Sequence, residues 1–190
     1  NCLFKKNGIV IFSEGAKYLE KAFKNNVTLH DLNFEVKTGR LTWNQNKNIL
    51  TNNPKGNILL VWAHNITENG LKYPIISKDK PQYVKTNNFD TGPAIVTNRI
   101  TGTVKAPRLK TAIIPPRMKF IAENHVNVIF PPARQAKINF GNNSIKRNLT
   151  IEDIAKQLSS KERLNIIENI TGNTQISKTE LEKLFPIEVN

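Results

Sequence analysis

The feature that most constrains this fold is a change in the period of the apolar residues near residue 150. Before it, short apolar segments recur about every 10 to 15 residues and are separated by Pro and Gly. After it, apolar residues recur at helical spacing. This pattern predicts antiparallel or mixed strands rather than alternating strand–helix units. The predicted strands are residues 57–66, 82–85, 94–97, 111–114, 120–122 and 126–130.

Three helices are predicted after this change. Thr150 with Asp153, and Ser177 with Glu180, have the spacing of a capping box, in which the first side chain closes the helix start. The apolar residues of the three helices are Ile151, Ile154, Ala155 and Leu158, then Leu164, Ile166, Ile167 and Ile170, then Leu181, Leu184 and Phe185, before Pro186. The predicted class is α+β: a β-rich body of short antiparallel or mixed strands with a small C-terminal helical cluster.

The N-terminal third adds one helix and one hairpin to the prediction. Residues 13–24 have an amphipathic helical pattern with Ser13 as N-cap. Residues 28–47 alternate around Gly39, which predicts a hairpin with a polar end that carries Trp43. The predicted organisation is residues 1–27 as linker and helix, 28–149 as the β-rich domain, and 150–190 as a helical subdomain.

The charge of the chain indicates a polyanionic partner. The net charge is +13 and the isoelectric point is about 9.9, which most simply implies nucleic acid. Residues 72–119 carry ten basic and two acidic side chains, whereas residues 150–190 carry five basic and seven acidic ones. The middle of the chain is therefore the predicted binding surface.

Other classes are disfavoured by composition. No apolar run approaches 18 residues and no signal peptide is evident, so a membrane partner is not predicted. Cys2 is the only cysteine, which fits a reducing, cytoplasmic environment and gives no thiolate zinc site. Because the first residue is Asn1, we expect a piece of a longer protein.

One polar loop lies between the second and third predicted C-terminal helices. Gly172 suits the left-handed position after a helix, and Thr171, Asn173, Thr174 and Gln175 are donor–acceptor side chains of the kind that contact bases or phosphates. The alternative is an ordinary interhelix turn that needs Asn and Gly only for its backbone angles.

Further candidate binding residues lie in the β-rich part. Arg suits guanine and Asn suits adenine in the major groove, although an Arg in a basic loop is more often a phosphate contact. Each candidate has a structural alternative: a solvated turn near Trp43, or a hydrogen-bonded structural residue beside His125. The candidates are Arg40, Asn44, Gln45 and Lys47, then Asn98, Arg99 and Asn124, and as phosphate contacts Lys105, Arg108, Lys110, Arg117 and Lys119.

Four motifs in this order resemble one enzyme family. They are residues 38–47 (TGRLTWNQNK), 60–66 (LVWAHNI), 123–127 (ENHVN), and 172–175 (GNTQ) followed by 179–181 (TEL) and Pro186. Their order and spacing, over residues 28–187, resemble the C-terminal half of type II restriction-modification DNA adenine-N6 methyltransferases, the TaqI-like and HincII-like enzymes. The resemblance implies a target-recognition domain for double-stranded DNA.

In that family the chemistry belongs to an N-terminal domain. The resemblance implies that this domain binds S-adenosylmethionine and carries an (Asn/Asp/Ser)-Pro-Pro-(Tyr/Phe) motif. The Pro-Pro pairs at Pro115 and Pro131 lack the preceding amide and the following aromatic residue, and no glycine-rich strand-to-helix turn is present. We therefore expect this chain to hold no cofactor and no catalytic residue, and to partner an upstream catalytic domain of the same protein.

Two other classes stay open on sequence alone. An RNA-binding or ribosomal module would fit the charge, although no aromatic RNA-recognition pair or GxxG clamp is present. A metal-dependent nuclease would fit Glu35-Val36-Lys37, although Asp31 is too near in sequence for the usual pair of adjoining strands.

Overall fold

The chain has an α+β fold in which helices cover one of two stacked sheets. The computed structural model describes residues 3–12, 16–75, 79–99, 102–103, 106–107, 109–132, 149–171 and 175–189. The helices are α1 (Ala16–Phe23), α2 (Ile151–Leu158), α3 (Lys161–Thr171) and α4 (Lys178–Lys183). The strands are β1 (Leu3–Lys6), β2 (Ile9–Phe12), β3 (Asn26–Val27), β4 (Glu35–Thr38), β5 (Leu50–Thr51), β6 (Ile58–Val61), β7 (Ile66–Thr67), β8 (Gly70–Leu71), β9 (Tyr83–Val84), β10 (Asp90–Thr91), β11 (Ala94–Asn98), β12 (Gly102–Thr103), β13 (Ala106–Pro107), β14 (Thr111–Ile114), β15 (Lys119–Ala122), β16 (Val126–Phe130) and β17 (Ile187–Glu188).

The two main sheets contain the strands that the apolar pattern predicts. One sheet has the order β14-β11-β16-β4 and is antiparallel throughout. The other has the order β10-β15-β6-β9-β5 and is mixed, because β15 runs parallel to β6. The predicted strands correspond to β6, β9, β11, β14, β15 and β16, and the α+β class is confirmed. The strand predicted at residues 57–66 is too long, because β6 ends at Val61 and Ala63–Asn65 form a 3-10 turn.

Alternation along the central strands separates two cores. Ile95 and Ile129 face the helices, whereas Val96 and Val128 face the five-stranded sheet. All four are almost fully buried, since both faces of the four-stranded sheet are covered. A strand buried on both faces has an unbroken apolar run, which is why these segments stand out in the sequence.

The helices and the N-terminal elements pack on one face of the four-stranded sheet. Their shared cluster includes Leu19 of α1, Val36 of β4, Leu158 of α2 and Leu181 of α4. β17 also pairs with β3, which follows α1, and so connects the C-terminal helices to the N-terminal elements. This cluster takes described residues from each of the predicted ranges 1–27, 28–149 and 150–190, and the three-part division stays a prediction.

The two predicted capping boxes are confirmed. The Asp153 N–H donates to Thr150 Oγ1 at 3.1 Å, and the Thr150 N–H donates back to Asp153 Oδ2 at 3.0 Å. At α4 the Glu180 N–H donates to Ser177 Oγ at 3.2 Å, and the Ser177 N–H donates to Glu180 Oε2 at 2.7 Å. Both helix starts are therefore set by local sequence.

Replacing Ser177 by Ala should lower the free energy of unfolding by about 1 kcal/mol, because the Glu180 N–H loses its acceptor. Urea denaturation of the two proteins measures the difference. Ser177→Asp retains an acceptor at the N-cap and serves as the control. Equal losses in both variants would contradict a capping role.

The predicted hairpin around Gly39 is wrong. β4 pairs with β16, about 90 residues away, and residues 41–49 form two 3-10 turns instead of a return strand. Gly39 lies where the chain crosses from one sheet to the other, with its N–H donating to Val126 O at 2.7 Å. A β-carbon on Gly39 would lie 2.0 Å from Glu123 O, so this glycine permits close backbone approach.

The N-terminal segment contains a β-hairpin in addition to the predicted helix. The predicted helix at residues 13–24 is observed as α1, while Ser13 lies outside the described residues. β1 and β2 form a hairpin around Asn7 and Gly8, both at positive φ, which was not predicted. Asn-Gly is the usual sequence for such a two-residue turn.

Candidate nucleic-acid interface

A bend between Ala122 and Val126 joins the two sheets. β15 of the five-stranded sheet ends at Ala122, and β16 of the four-stranded sheet begins at Val126. The Glu123 N–H donates to Val61 O at 3.0 Å, and the Asn124 N–H donates to Leu41 O at 3.1 Å. We call residues 122–126 the bend.

Two predicted site residues meet at this bend. Arg99 follows β11, and its N–H donates to His125 O at 3.1 Å, while its Nη1 donates to Asn124 O at 3.1 Å. Arg99 Nε and Asn124 Oδ1 are buried, and neither atom has a hydrogen-bond partner among the described residues. A buried polar atom without a partner costs about 1 to 3 kcal/mol. Buried polar atoms are normally hydrogen-bonded, so an unmatched donor and an unmatched acceptor on two residues in contact are unusual for a purely structural contact.

The bend also holds a buried carboxylate that the sequence did not single out. Glu123 is 2% exposed, and its Oε1 lies 2.7 Å from His125 Nδ1 while its Oε2 accepts the His125 N–H at 2.9 Å. His125 is largely exposed. Because Nδ1 donates to the carboxylate, Nε2 is the ring nitrogen left for a ligand. The only sequence signal for this pair is the Glu-x-His spacing.

Next to the bend lies a group that we call the aromatic–lysine cluster: Trp43, Lys47, Trp62, His64 and Lys80. The rings of Trp62 and His64 are stacked, with centroids 5.9 Å apart and an interplanar angle of 18°, and Trp43 lies 6.3 Å from Trp62. Lys47 Nζ lies over the Trp43 ring and Lys80 Nζ over the Trp62 ring. Of these five residues, sequence reasoning proposed only Lys47 as a contact.

His64 is held in an environment that disfavours its charged form. Burial lowers the pKa of His64, and the nearby Lys80 charge lowers it further, while Glu123 acts in the opposite direction. The ring is therefore a neutral aromatic group at neutral pH, near enough to Lys80 and to Glu123 of the bend to be affected by both charges.

The predicted residues around the 3-10 turns are on the surface. Asn44, Gln45 and Lys47 are exposed, on or just after the turn that begins at Trp43. Arg40 is paired with Asp90, with Nη2 and Oδ2 3.4 Å apart. Arg40 thus has a structural partner, and Lys47 lies over the Trp43 ring, whereas Asn44 and Gln45 are exposed.

Asn98 has a structural role in this fold. Its Oδ1 accepts the Lys110 N–H at 2.7 Å, and this hydrogen bond joins the two ends of the segment that connects β11 to β14. Lys110 is half-buried beside Arg99 at the same end of the sheet as the bend. The structure thus brings Asn98, Arg99, Lys110 and Asn124 to one end.

Two predicted phosphate contacts lie at the other end. The Arg117 N–H donates to Gly92 O at 3.1 Å, before the start of β11, and Lys119 Nζ lies over the ring of Phe89. From Gly92 to Arg99 the strand spans about 20 Å. Arg117 and Lys119 are exposed but are not part of the same local surface as Arg99.

The polar loop of residues 171–175 is only partly described. Asn173 and Thr174, like Lys105 and Arg108, lie outside the described residues. Gln175 is exposed, and the following Ile176 N–H donates to Arg99 O at 3.0 Å. The end of this loop is therefore adjacent to Arg99.

The Glu-x-Lys segment does not resemble a nuclease centre. Glu35 and Lys37 pair with each other on β4, with Oε2 and Nζ 3.0 Å apart, and Lys37 also lies over Phe130. Asp31 is bound by Lys6 at 2.8 Å. Within the described residues, no three His, Cys, Asp or Glu side chains are placed to share a metal ion.

No helix in the described part of the chain is long and apolar enough to span a membrane. No protein-family model matches this chain, and no curated protein matches it either.

Proposed function

We propose that this chain recognises duplex DNA as the target-recognition part of a site-specific DNA adenine-N6 methyltransferase. The observation that carries the proposal is the pair of unmatched polar atoms at the bend, Arg99 Nε and Asn124 Oδ1. Arg and Asn are the residue types that read guanine and adenine in the major groove. Both side chains are half-buried, so rotation about their side-chain bonds can carry these atoms to a ligand.

The charge distribution supports the same partner. Residues 72–119 carry an excess of eight positive charges, and these include Arg99 at the bend and Lys110 beside it. Lys and Arg contacts to phosphates position a protein on DNA, while a few side chains read bases. Exposed Asn44, Gln45 and Gln175 are further polar contacts under this proposal.

The proposal places S-adenosylmethionine outside this chain, because the Pro115-Pro116 pair lacks the sequence that holds the flipped adenine in such enzymes. Pro115 lies in the turn between β14 and β15, where the Met118 N–H donates to its carbonyl at 3.2 Å, and no aromatic residue follows the Pro pair. Under our proposal the cofactor binds to a preceding catalytic domain of the same protein, and the protein acts in the cytoplasm.

The direct test is binding of fluorescent duplex DNA by this chain, measured by anisotropy. Asn124→Ala and Arg99→Ala should each weaken binding by about 5- to 150-fold, as expected for loss of a polar contact of 1 to 3 kcal/mol. Thermal melting of each variant shows whether it remains folded. Arg117→Ala, at the other end of the sheet, is the matched control and should have a smaller effect.

Unchanged affinity in both folded bend variants would overturn this assignment. Tighter binding of single-stranded RNA than of duplex DNA would instead favour the RNA-binding class.

A further inference from the structure

The aromatic–lysine cluster is built around one fixed ring. Trp62 is 3% exposed, its Nε1 donates to Pro81 O at 3.0 Å, and its backbone N–H donates to Asn65 Oδ1 at 2.8 Å. Asn65 is itself held by Gln82 and by Lys72 O. The indole ring is therefore anchored from both its side chain and its backbone.

Two other rings pack on Trp62 and are partly exposed to solvent. His64 stacks on Trp62, and Trp43 is tilted against it at 59°. His64 and Trp43 are both half-buried, so each leaves part of its ring accessible. Because the pKa of His64 is lowered, mainly by burial, its flat ring remains neutral at neutral pH. A neutral ring over an anchored indole forms a stacking surface.

The cations of the cluster lie over the same rings. Lys47 Nζ is 5.2 Å from the Trp43 centroid, and Lys80 Nζ is 5.7 Å from the Trp62 centroid. Both lysines are exposed, so their long side chains can move to an incoming anion. Aromatic faces beside mobile cations are the combination that binds single-stranded nucleic acid, through base stacking and phosphate contacts.

A base inside a duplex cannot use this surface, since its neighbours cover both of its faces. We propose that the aromatic–lysine cluster binds an unstacked nucleobase, with the base on His64 and its flanking phosphate at Lys80 and Lys47. This inference rests on the proposed nucleic-acid function and adds a site for an unpaired nucleotide at the edge of the duplex contact.

Intrinsic fluorescence gives a specific probe, because Trp43 and Trp62 are the only two tryptophans and both belong to the cluster. The probes are a fully paired duplex, the same duplex with a three-nucleotide single-stranded gap, and free dAMP. The gapped duplex should quench the tryptophan fluorescence and bind at least about fivefold more tightly than the paired duplex, as one stacked base contributes.

Variants separate stacking from charge. His64→Ala should abolish the preference for the gapped duplex, whereas His64→Phe should keep it, because a phenyl ring also stacks. Lys80→Gln should weaken binding to the gapped duplex more than Lys17→Gln, which makes the same charge change at an exposed site on α1, on the helix side of the four-stranded sheet. A preference that survives His64→Ala would overturn the inference.

The remaining outcomes distinguish this inference from the proposed function. Binding of paired duplex without quenching or preference would overturn only the nucleotide site. No binding of any DNA would overturn both. Equal affinity for free dAMP and for the gapped duplex would overturn the assignment to a DNA strand.

Discussion

Raising the salt concentration from 50 to 200 mM should weaken binding of this chain to duplex DNA by about three to four orders of magnitude. The physical reason is release of counterions, which makes the logarithm of affinity fall linearly with the logarithm of salt concentration. The slope is about −0.9 for each phosphate neutralised, and the excess charge in residues 72–119 is enough for about five to eight phosphates. Anisotropy titrations at four or five salt concentrations measure the slope.

Single variants calibrate this slope. Replacing a lysine or arginine that contacts a phosphate should reduce its magnitude by about one. Lys110→Gln is the first to test, because Lys110 lies at the same end of the sheet as the bend, and Arg117→Gln at the other end should change the slope less. A slope near zero for the unmodified chain would contradict an electrostatic mode of binding.

Replacing Gly39 by Ala should lower the free energy of unfolding by about 3 kcal/mol or more. Its new β-carbon would lie 2.0 Å from Glu123 O and 2.7 Å from Ala122 O. These are backbone atoms at the end of β15, which pairs with β6, so they cannot move away without disturbing the sheet. Urea denaturation is the measurement.

Gly56→Ala is the matched control for this effect. Gly56 has φ +69° and no atom within 4 Å of an added β-carbon, so only backbone strain of about 1 kcal/mol is expected. If Gly39→Ala is no more destabilising than Gly56→Ala, the close approach at the bend is not a structural requirement.

Sequence reasoning succeeded where the cause of a structure is local. β11 and β16 are buried on both faces, so their apolar runs are visible without knowledge of their partners. The Ser177 and Glu180 capping box is likewise contained in four residues. The Asn7-Gly8 turn of the first hairpin also has a local cause, because Asn-Gly is the usual dipeptide of a two-residue turn.

It failed where the cause lies far along the chain. Gly39 is needed because residues 122 and 123 pass beside it, and nothing near Gly39 in sequence indicates that. Trp62 and His64, which stack, are only two residues apart in sequence. Trp43 and Lys80 contact the Trp62 ring only because the fold brings them there.

The candidate site shows the same division. The side-chain chemistry of Arg99 and of Asn124 marks each of them as a candidate on its own. Their contact depends on the pairing of β11 with β16 and cannot be seen in the sequence. A count of charges along the sequence cannot show that Arg117 and Lys119 lie at the opposite end of β11 from Arg99. The sequence thus predicts which side chains are suited to contact DNA, but not which of them lie on the same surface.

The pairing of β3 with β17 has a consequence for how the chain folds during its synthesis on the ribosome. Val27 pairs with Ile187, and the His30 N–H donates to Glu182 O, so each contact needs a residue that is synthesised about 150 residues later. Contacts across such long separations make folding slow. The apolar faces of α1 and β3 therefore stay partly uncovered until α4 and β17 have left the exit tunnel.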